Sequence, residues 1–510
     1  MDFYSQLFLY LAVLYISLYL LFLVFRKKSS ALNLPPGKKG WPIIGESLDF
    51  VGTAKSGCPE KFINDRTAKY SPEVFRTSLL GEDMAVFCGA SGNKFLFSGQ
   101  NKYITTWWPT SMKKVIIFPE TMEKLNKDDP KKMRSFLPEF LKPEALQHYI
   151  PIMDSMTRDH LESDWSPHKE VKVFHLTKNY TFALACRLFM NIKDPEVVSK
   201  FADPFARIAP GFTSVPINIP GTPFNRAVEG GKVIRKKLLN IIRQRKQEIL
   251  EGKDVNARDL LSRLLTEVDD DSSVYYEMDV SNKIFGLLIA SHDTTSTSIT
   301  VIVNYLASLP HIYEKVYKEQ MEIAKSKALG ELLNWDDIQK MKYSWNVACE
   351  SMRLMPAAQG AFREAITDFT FAGYTIPKGW KTFWTVYTTH KNPKYFPDPE
   401  KFDPSRFEGN GPAPFTYVPF GGGPRMCPGK EYARLEILVF IHNLVTKFKL
   451  QKVIPDEKII YNPSPVSPMV FLFASEPITK NLSYLCNLHT MEELVYESIC
   501  VLEVHHRFSS

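Results

Sequence analysis

The sequence predicts a mainly α-helical chain with small β-sheets, an α+β fold preceded by a single N-terminal transmembrane helix. Three observations carry that expectation. Residues 6–25, QLFLYLAVLYISLYLLFLVF, hold no charge and are followed at once by Arg26, Lys27 and Lys28. From about residue 45 to 390 most segments repeat apolar residues at helical spacing. Short strand-like runs with turn signals, such as DFTFAGYTIPKGW at 368–380, interrupt the helices.

Taken in order, residues 1–28 read as a transmembrane anchor with a basic stop. As a helix the apolar run spans roughly 30 Å, enough for a bilayer. A cleaved signal peptide has basic residues first and a shorter core; here Asp2 precedes the run and the basic cluster follows it. The positive-inside tendency then leaves the body cytosolic. Residues 29–45 include LNLPPGKKGWPIIG, a hinge in which proline excludes helix. Residues 46–466 form the body, with amphipathic VIRKKLLNIIRQRKQEIL at 233–250 and a long apolar helix over 283–309. The proline-rich apolar loop VPINIPGTPF, at 215–224, is expected to dip into the membrane. No internal repeat or low-complexity tract occurs.

Composition excludes several classes. The 510 residues are 44% hydrophobic and 13% aromatic, which describes a folded chain. A net charge of +7 suits an acidic partner or a membrane surface and falls short of a nucleic-acid binder. Seven scattered cysteines without a CxxC pair argue against a disulfide framework or a structural zinc site.

The chemistry concentrates in FGGGPRMCPGK, residues 420–430. A phosphate loop needs a Ser or Thr after its lysine, and none follows Lys430. A buried structural thiol leaves Gly422, Gly423, Pro424 and Gly429 unexplained. A thiolate on a metal cofactor explains them: small residues let the backbone approach a flat ring, and the next helix start favours the anion. Two further patterns stand apart. Glu350 and Arg353 in CESMRLMP lie at i and i+3 on one helix face. ASHDTT at 290–295 places polar residues inside an apolar helix, either bonded back to the helix or set around a ligand.

Phe420-x-x-Gly423-x-Arg425-x-Cys427-x-Gly429 resembles the haem-binding signature of the cytochrome P450 superfamily. The resemblance implies that fold, haem b as cofactor and Cys427 as the axial iron ligand. Phe420 would shield the sulfur and Arg425 would pair with a haem propionate. Arg134 and Arg363 match further propionate-binding arginines, although Pro130 stands at the family's tryptophan position. Arg406 in FDPSRF would complete a structural triad with Glu350 and Arg353. Asp293 and Thr294 match the oxygen-activation motif as catalytic residues, relaying protons and bonding dioxygen. Ser291 departs from the usual glycine there, and Ala357 replaces the second proline of a commoner pair.

The candidate pocket comprises Trp107, Trp108, Leu287, Ala290, Ala358 and Gly360, apolar positions with no charge to hold an ionic substrate. Over most of the body the wording resembles the plant triterpenoid-oxidising branch, which includes β-amyrin 28-monooxygenases. That implies oxidation of the carbon-28 methyl of a β-amyrin-type pentacyclic triterpene to the carboxylic acid, as in oleanolic acid. Another triterpene carbon, a diterpenoid or a sterol is the alternative. Also implied are the endoplasmic reticulum membrane, O2, and electrons from NADPH through NADPH–cytochrome P450 reductase. Lys131, Lys132, Lys430 and Arg434 are a candidate docking face for that reductase, a solvated face being the alternative. The resemblance stops near residue 466. Residues 467–510 read as an atypical tail, expected to be disordered and to contribute no site residue. A haem-binding but inactive protein is therefore the rival to an active enzyme.

Overall fold

The computed structural model describes residues 3–477 apart from 26–31, 43, 122–135, 213, 215, 254–258, 267–273, 456, 458, 462–464 and 467–471. It is mainly helical with small sheets, as the sequence predicts. The helices that bear on the site or its support are α1 (Phe3–Phe25), α2 (Gly89–Ser98), α3 (Pro143–His160), α4 (Val173–Met190), α5 (Pro223–Leu250), α6 (Val274–Ser308), α7 (Lys342–Leu354) and α8 (Lys430–Lys447). The strands are β1 (Val74–Leu79), β2 (Glu82–Phe87), β3 (Ile104–Thr106), β4 (Glu170–Lys172), β5 (Gly360–Ala365), β6 (Phe369–Phe371), β7 (Tyr374–Ile376), β8 (Lys381–Thr385), β9 (Phe448–Lys452), β10 (Ile460–Tyr461), β11 (Pro465–Val466) and β12 (Leu472–Pro477).

Two compact units are formed. The first comprises Met1–Pro109, Gly360–Thr389 and Gly422–Arg425. Its main sheet has the strand order β1-β2-β8-β5-β3. Leu80 and Gly81 join β1 to β2 at φ 58° and 80°, the left-handed pair that a two-residue hairpin turn requires. Strand β8 is parallel to β2 and antiparallel to β5, and its Phe383 is buried with Met84, Ala85, Val86 and Phe87 of β2. The side chains of α1 are described from Gln6 to Leu20, most of them exposed and apolar. Among the described residues no helix is long and apolar enough to cross a membrane.

The second unit comprises Thr110–Gln359, His390–Gly421 and Met426–Ser510. Helix α6 is its spine. Hydroxyl rungs tie α4 to it: Thr181 Oγ1 donates to the His292 carbonyl at 3.2 Å, and the Thr177 and Thr300 hydroxyls meet at 3.0 Å. Asn443 of α8 donates to buried Asp154 of α3 at 2.6 Å. Local sequence sets the helix ends. Thr222 caps α5 by accepting from the Asn225 N–H, with Pro223 in the first turn. Asn191 closes α4 in the left-handed conformation at φ 54°. Pro356, two residues beyond α7, disfavours helix at Met355. Ile217 and Ile219 of the proline-rich loop are 49% and 59% exposed, so these apolar side chains are not core.

One expectation needs correcting. The segment 467–510 was expected to be disordered, yet Leu472–Pro477 is the central strand of the sheet β4-β12-β9. It pairs antiparallel with both neighbours, Ala474 standing opposite Glu170 on one side and Gln451 on the other. The reason lies in β4 and β9: they are not adjacent, and β12 supplies the backbone partner for each. Residues 478–510 lie outside the described residues. A chain truncated after Val466 should therefore lose on the order of 3 kcal/mol relative to one truncated after Pro477, given several lost ladder bonds. Thermal denaturation of the two truncations checks this, and equal midpoints contradict it.

Candidate functional site

The cysteine loop is a tight backbone turn. Gly421 N–H donates to the Val418 carbonyl at 3.0 Å, and Cys427 N–H reaches back to the Phe420 carbonyl at 2.8 Å. Gly421 and Gly423 have φ 69° and 65°, where a side chain is strained. The glycines have a second cause that the sequence did not reveal. A Cβ at Gly422 would stand 2.4 Å from the Phe97 ring, and one at Gly423 would stand 2.2 Å from the Phe97 carbonyl oxygen. Helix α2 thus backs Gly422 and Gly423, and the close approach is to protein. At Gly429 a Cβ would meet the Cys427 sulfur at an ordinary 3.9 Å. Cys427 is exposed, whereas Cys88, Cys186 and Cys349 are buried; burial pushes the Cys349 thiol up to about 12. Exposed Cys58 sits outside any such loop. Helix α8 starts three residues beyond Cys427, with Glu431 in its first turn and Lys447 in its last.

Behind the loop lies a buried ion cluster. The Glu350 carboxylate takes Arg353 Nε at 2.7 Å and Nη2 at 2.8 Å, both side chains fully buried. The Asp403 N–H donates to the same carboxylate at 2.9 Å. Arg406 Nε stands 3.4 Å away, an ion-pair distance, while its Nη2 donates to the Asp398 carbonyl. The three sequence-selected residues are therefore together. Arg353 also donates to the His390 carbonyl at 2.7 Å, and His390 Nε2 accepts from the Val418 N–H at 2.9 Å. Burial, then the charge of Arg353, depresses the imidazole to about 3, so it stays neutral and keeps that lone pair. His390 was invisible to sequence reading because its two partners lie 37 and 28 positions away.

On α6, Asp293 reaches Lys178 of α4 at 2.7 Å. Burial pushes its carboxyl up, but His292 and Lys178 outweigh that and hold it below the ordinary range. Burial also lowers the His292 imidazole, whose Nδ1 meets the Leu288 carbonyl at 3.0 Å. At neutral pH the ammonium is thus the cation Asp293 meets. Thr294 donates its hydroxyl proton to the Ala290 carbonyl at 2.7 Å. Ala290 and Thr294, four apart, are both exposed in a helix whose Thr295–Val303 stretch is buried, so they mark one open face. Lys178 is a functional candidate that sequence reading missed, since no spacing links positions 178 and 293.

The remaining candidates divide between the units. In the first, Arg363 is buried in β5, opposite Thr106 on β3 and Thr382 on β8. Trp107 packs edge-on against Phe362 and lies under the Lys381 ammonium; Trp108 is half-buried. Gly360 was expected as pocket lining, but a Cβ there would stand 2.0 Å from the Trp384 carbonyl oxygen. Its smallness therefore serves strand pairing. Arg425 is half-buried. In the second unit Phe420 and Leu287 are half-buried and Ala358 is exposed. Arg434 pairs with Glu431 at 3.5 Å. Arg134, Lys131 and Lys132 lie outside the described residues.

Glu436 on α8 was not foreseen. It is 1% exposed, and neither carboxyl oxygen has a hydrogen-bond partner; the Tyr432 hydroxyl one turn earlier has none either. Burial pushes the Glu436 carboxyl well above 4.5, so it is neutral.

Fold and loop define a haem-thiolate class. The chain belongs to the cytochrome P450 family, which matches residues 35–478. A retinoic-acid-bound cyanobacterial member, CYP120A1, shares the fold at TM-score 0.75 and 30% identity, over 88% of this chain and all of that one. The beta-amyrin 6-beta-monooxygenase of Solanum lycopersicum is 60% identical over 457 residues, 89% of this chain and 95% of that protein. The beta-amyrin 28-monooxygenases of Vitis vinifera and Medicago truncatula are 60% and 59% identical, over 88% and 91% of this chain and 94% and 96% of theirs. The protein is a cytochrome P450 monooxygenase, using haem iron and dioxygen with a redox partner.

Two outcomes follow from the buried groups. Arg353→Met strands the Glu350 carboxylate and should cost ~3–5 kcal/mol, with Glu350→Leu/Arg353→Met recovering part of the loss; denaturant titration measures both. For Glu436, the unfolded chain ionises near 4.5 while the folded chain keeps the proton. Its contribution is full below that value and shrinks as pH rises, by up to about 1.4 kcal/mol per pH unit. Gln titrates in neither state. The melting-temperature difference between Glu436→Gln and wild type should thus grow in the variant's favour as pH rises above about 4.5. Histidine effects run the opposite way with pH and cancel in that difference.

Proposed function

We propose that this P450 oxidises the carbon-28 methyl of a β-amyrin-type triterpene through alcohol and aldehyde to the carboxylic acid. The observation that carries it is the set of relatives named beta-amyrin 28-monooxygenase, 57–60% identical over 88–91% of the chain. Each round takes one O2, two electrons and two protons, releases water and leaves the carbon one step more oxidised.

The residues present fit haem. An exposed thiol stands in a rigid loop at a helix start, and α6 presents the small Ala290 and the Thr294 hydroxyl on one face. Cys427 would hold the iron as a thiolate, with Arg363, Arg425 and Arg134 for the propionates and Phe420 beside the sulfur. Bound there, haem supplies dioxygen activation and oxygen insertion into an unactivated C–H bond. The chain supplies protons and position. Asp293, held ionised by Lys178, takes a proton from the solvent side and passes it toward Thr294. The Thr294 hydroxyl must turn its proton away from the Ala290 carbonyl to donate to a ligand, and its oxygen accepts without turning. Gly423 and Gly429 are backbone positions of the same loop.

Electrons would come from NADPH through NADPH–cytochrome P450 reductase. Residues 6–25 would anchor the chain in the endoplasmic reticulum membrane, single-pass, with the body cytosolic, because Arg26, Lys27 and Lys28 follow the apolar run. A second reading, hydroxylation at carbon 6 of the same skeleton, is favoured by the 60% identity to the 6-beta-monooxygenase.

Yeast membranes carrying the full chain and a plant reductase, fed β-amyrin, decide between them. The expected product is the carbon-28 acid, together with a red-shifted Soret band of the reduced carbon-monoxide complex. Cys427→Ser should abolish both. A 6β-alcohol without acid transfers the assignment to the second reading, and an unshifted band in the wild type overturns both.

A further inference from the structure

Trp165 has no exposed surface, and its indole N–H donates to His160 Nε2 at 3.2 Å. His160 Nδ1 meets Asp164 Oδ2 at 2.8 Å, the Asp164 side chain being 50% exposed. An indole N–H can only donate, so Nε2 carries the lone pair and Nδ1 the ring proton. Burial holds the imidazole below its ordinary range, so it is neutral at neutral pH. The local backbone builds this triad. At about 100° per residue, positions five apart on an α-helix diverge by about 140°. Past His160, the last residue of α3, the chain widens into a π-helical turn, Leu161–Trp165, closed by the Ser166 N–H on the Leu161 carbonyl at 2.9 Å. Trp165 thereby comes round onto His160. Such turns concentrate at functional sites. Satisfying a buried indole N–H takes one acceptor, and a carbonyl suffices. An imidazole backed by a carboxylate can also take the proton.

The triad ends a row of oxidisable rings. Tyr432, five residues beyond Cys427, is buried in the first turn of α8. Tyr180 of α4 lies 5.5 Å from the His160 ring and 5.1 Å from the Phe440 ring of α8. Trp165 lies 6.0 Å from the same Phe440 ring. Glu436, midway between Tyr432 and Phe440, is within electrostatic reach of both tyrosines, and the tyrosines of each other. Tyr432 and Phe440 stand about 12 Å apart along the helix axis. The row therefore leads from the start of the thiol's helix to Asp164 at the surface. Haem chemistry that breaks an unactivated C–H bond is strong enough to oxidise a phenol or an indole, whose X–H bonds are weaker.

We propose that Trp165, with His160 as its proton acceptor, is a redox-active site that takes oxidising equivalents from the haem pocket through Tyr432 and Tyr180 when no substrate C–H bond is in place. One electron leaves the indole and reduces the haem oxidant by one equivalent. The Nε1–H bond breaks, its proton bonds to His160 Nε2, and Asp164 balances the imidazolium. A one-electron reductant from solution, such as ascorbate, returns the electron, and His160 returns the proton. The inference needs only the P450 chemistry established above and does not depend on which carbon is oxidised.

The test uses the full haem-loaded chain in detergent, as wild type, Trp165→Phe, His160→Gln and Tyr432→Phe, each normalised to its red-shifted carbon-monoxide band. Substrate-free ferric protein is mixed with hydrogen peroxide, frozen at intervals and read by electron paramagnetic resonance, while haem bleaching is followed in parallel. Wild type should give a neutral tryptophanyl radical. Trp165→Phe should lack it and bleach several-fold faster. The His160→Gln amide oxygen still accepts the indole N–H but cannot take its proton, so this variant should lose the neutral radical. Tyr432→Phe should slow its appearance several-fold. His160→Gln leaves the buried indole in place, so the test survives if Trp165→Phe does not fold. The proposal is overturned if wild type gives no tryptophanyl signal, or if that signal persists unchanged in Trp165→Phe or in His160→Gln.

Discussion

The cysteine loop is held in place by a carboxylate that never meets water. Glu350 and Arg353 have no exposed side-chain surface, and their attraction alone barely repays the loss of hydration. What makes the arrangement specific is that the remaining valences are used. Arg353 reaches the carbonyls of His390 and Lys401, and Glu350 takes the Asp403 N–H. His390 then accepts from Val418, two residues before Phe420, whose carbonyl receives the Cys427 N–H. Position passes from α7 to the thiol through one guanidinium, one imidazole and the backbone groups they hold, so Arg353 and His390 are the two side chains on which the relay depends.

The parts legible in the sequence are those whose partners are near in the chain. Cys427 and its glycines form one short run, and Glu350 and Arg353 share a helix face. Arg406 was reached only by resemblance, because nothing local joins positions 350 and 406. Lys178, His390 and Glu436 were not reached at all: each matters through an element distant in sequence. The glycines were legible as a requirement but not in their cause, since the close approach at Gly422 and Gly423 is to Phe97. The tail shows the same limit from the other side. Its unfamiliar wording hid a strand that β4 and β9 both need.

The second unit also sorts its titratable groups by whether a cation stands beside them. Glu436 has none and is neutral. His292, His390 and His442 are buried and held below the ordinary range, His442 to about 4. Asp293 is only half-buried, and with Lys178 2.7 Å away its carboxyl stays ionised. Of these groups, Asp293 alone combines charge, partial exposure and a place next to Thr294.

That sorting explains why the acid must be partnered across helices. An unpaired aspartate at this depth would take up a proton and keep it, as Glu436 does, and would be useless as a relay. A fully buried pair would be as immobile as Glu350 and Arg353. Lys178 and Asp293 are each 30% exposed at the side chain, between those extremes: the ammonium is close enough to keep the carboxylate charged, and water is close enough to exchange its proton. The same α6 surface therefore needs two different qualities within a few residues, a charged and partly exposed acid on one flank and the small residues Gly286 and Ala290 on the open face beside it. A single helix meets both because positions 290 and 293 differ by about 60° in direction while remaining one turn apart along the axis.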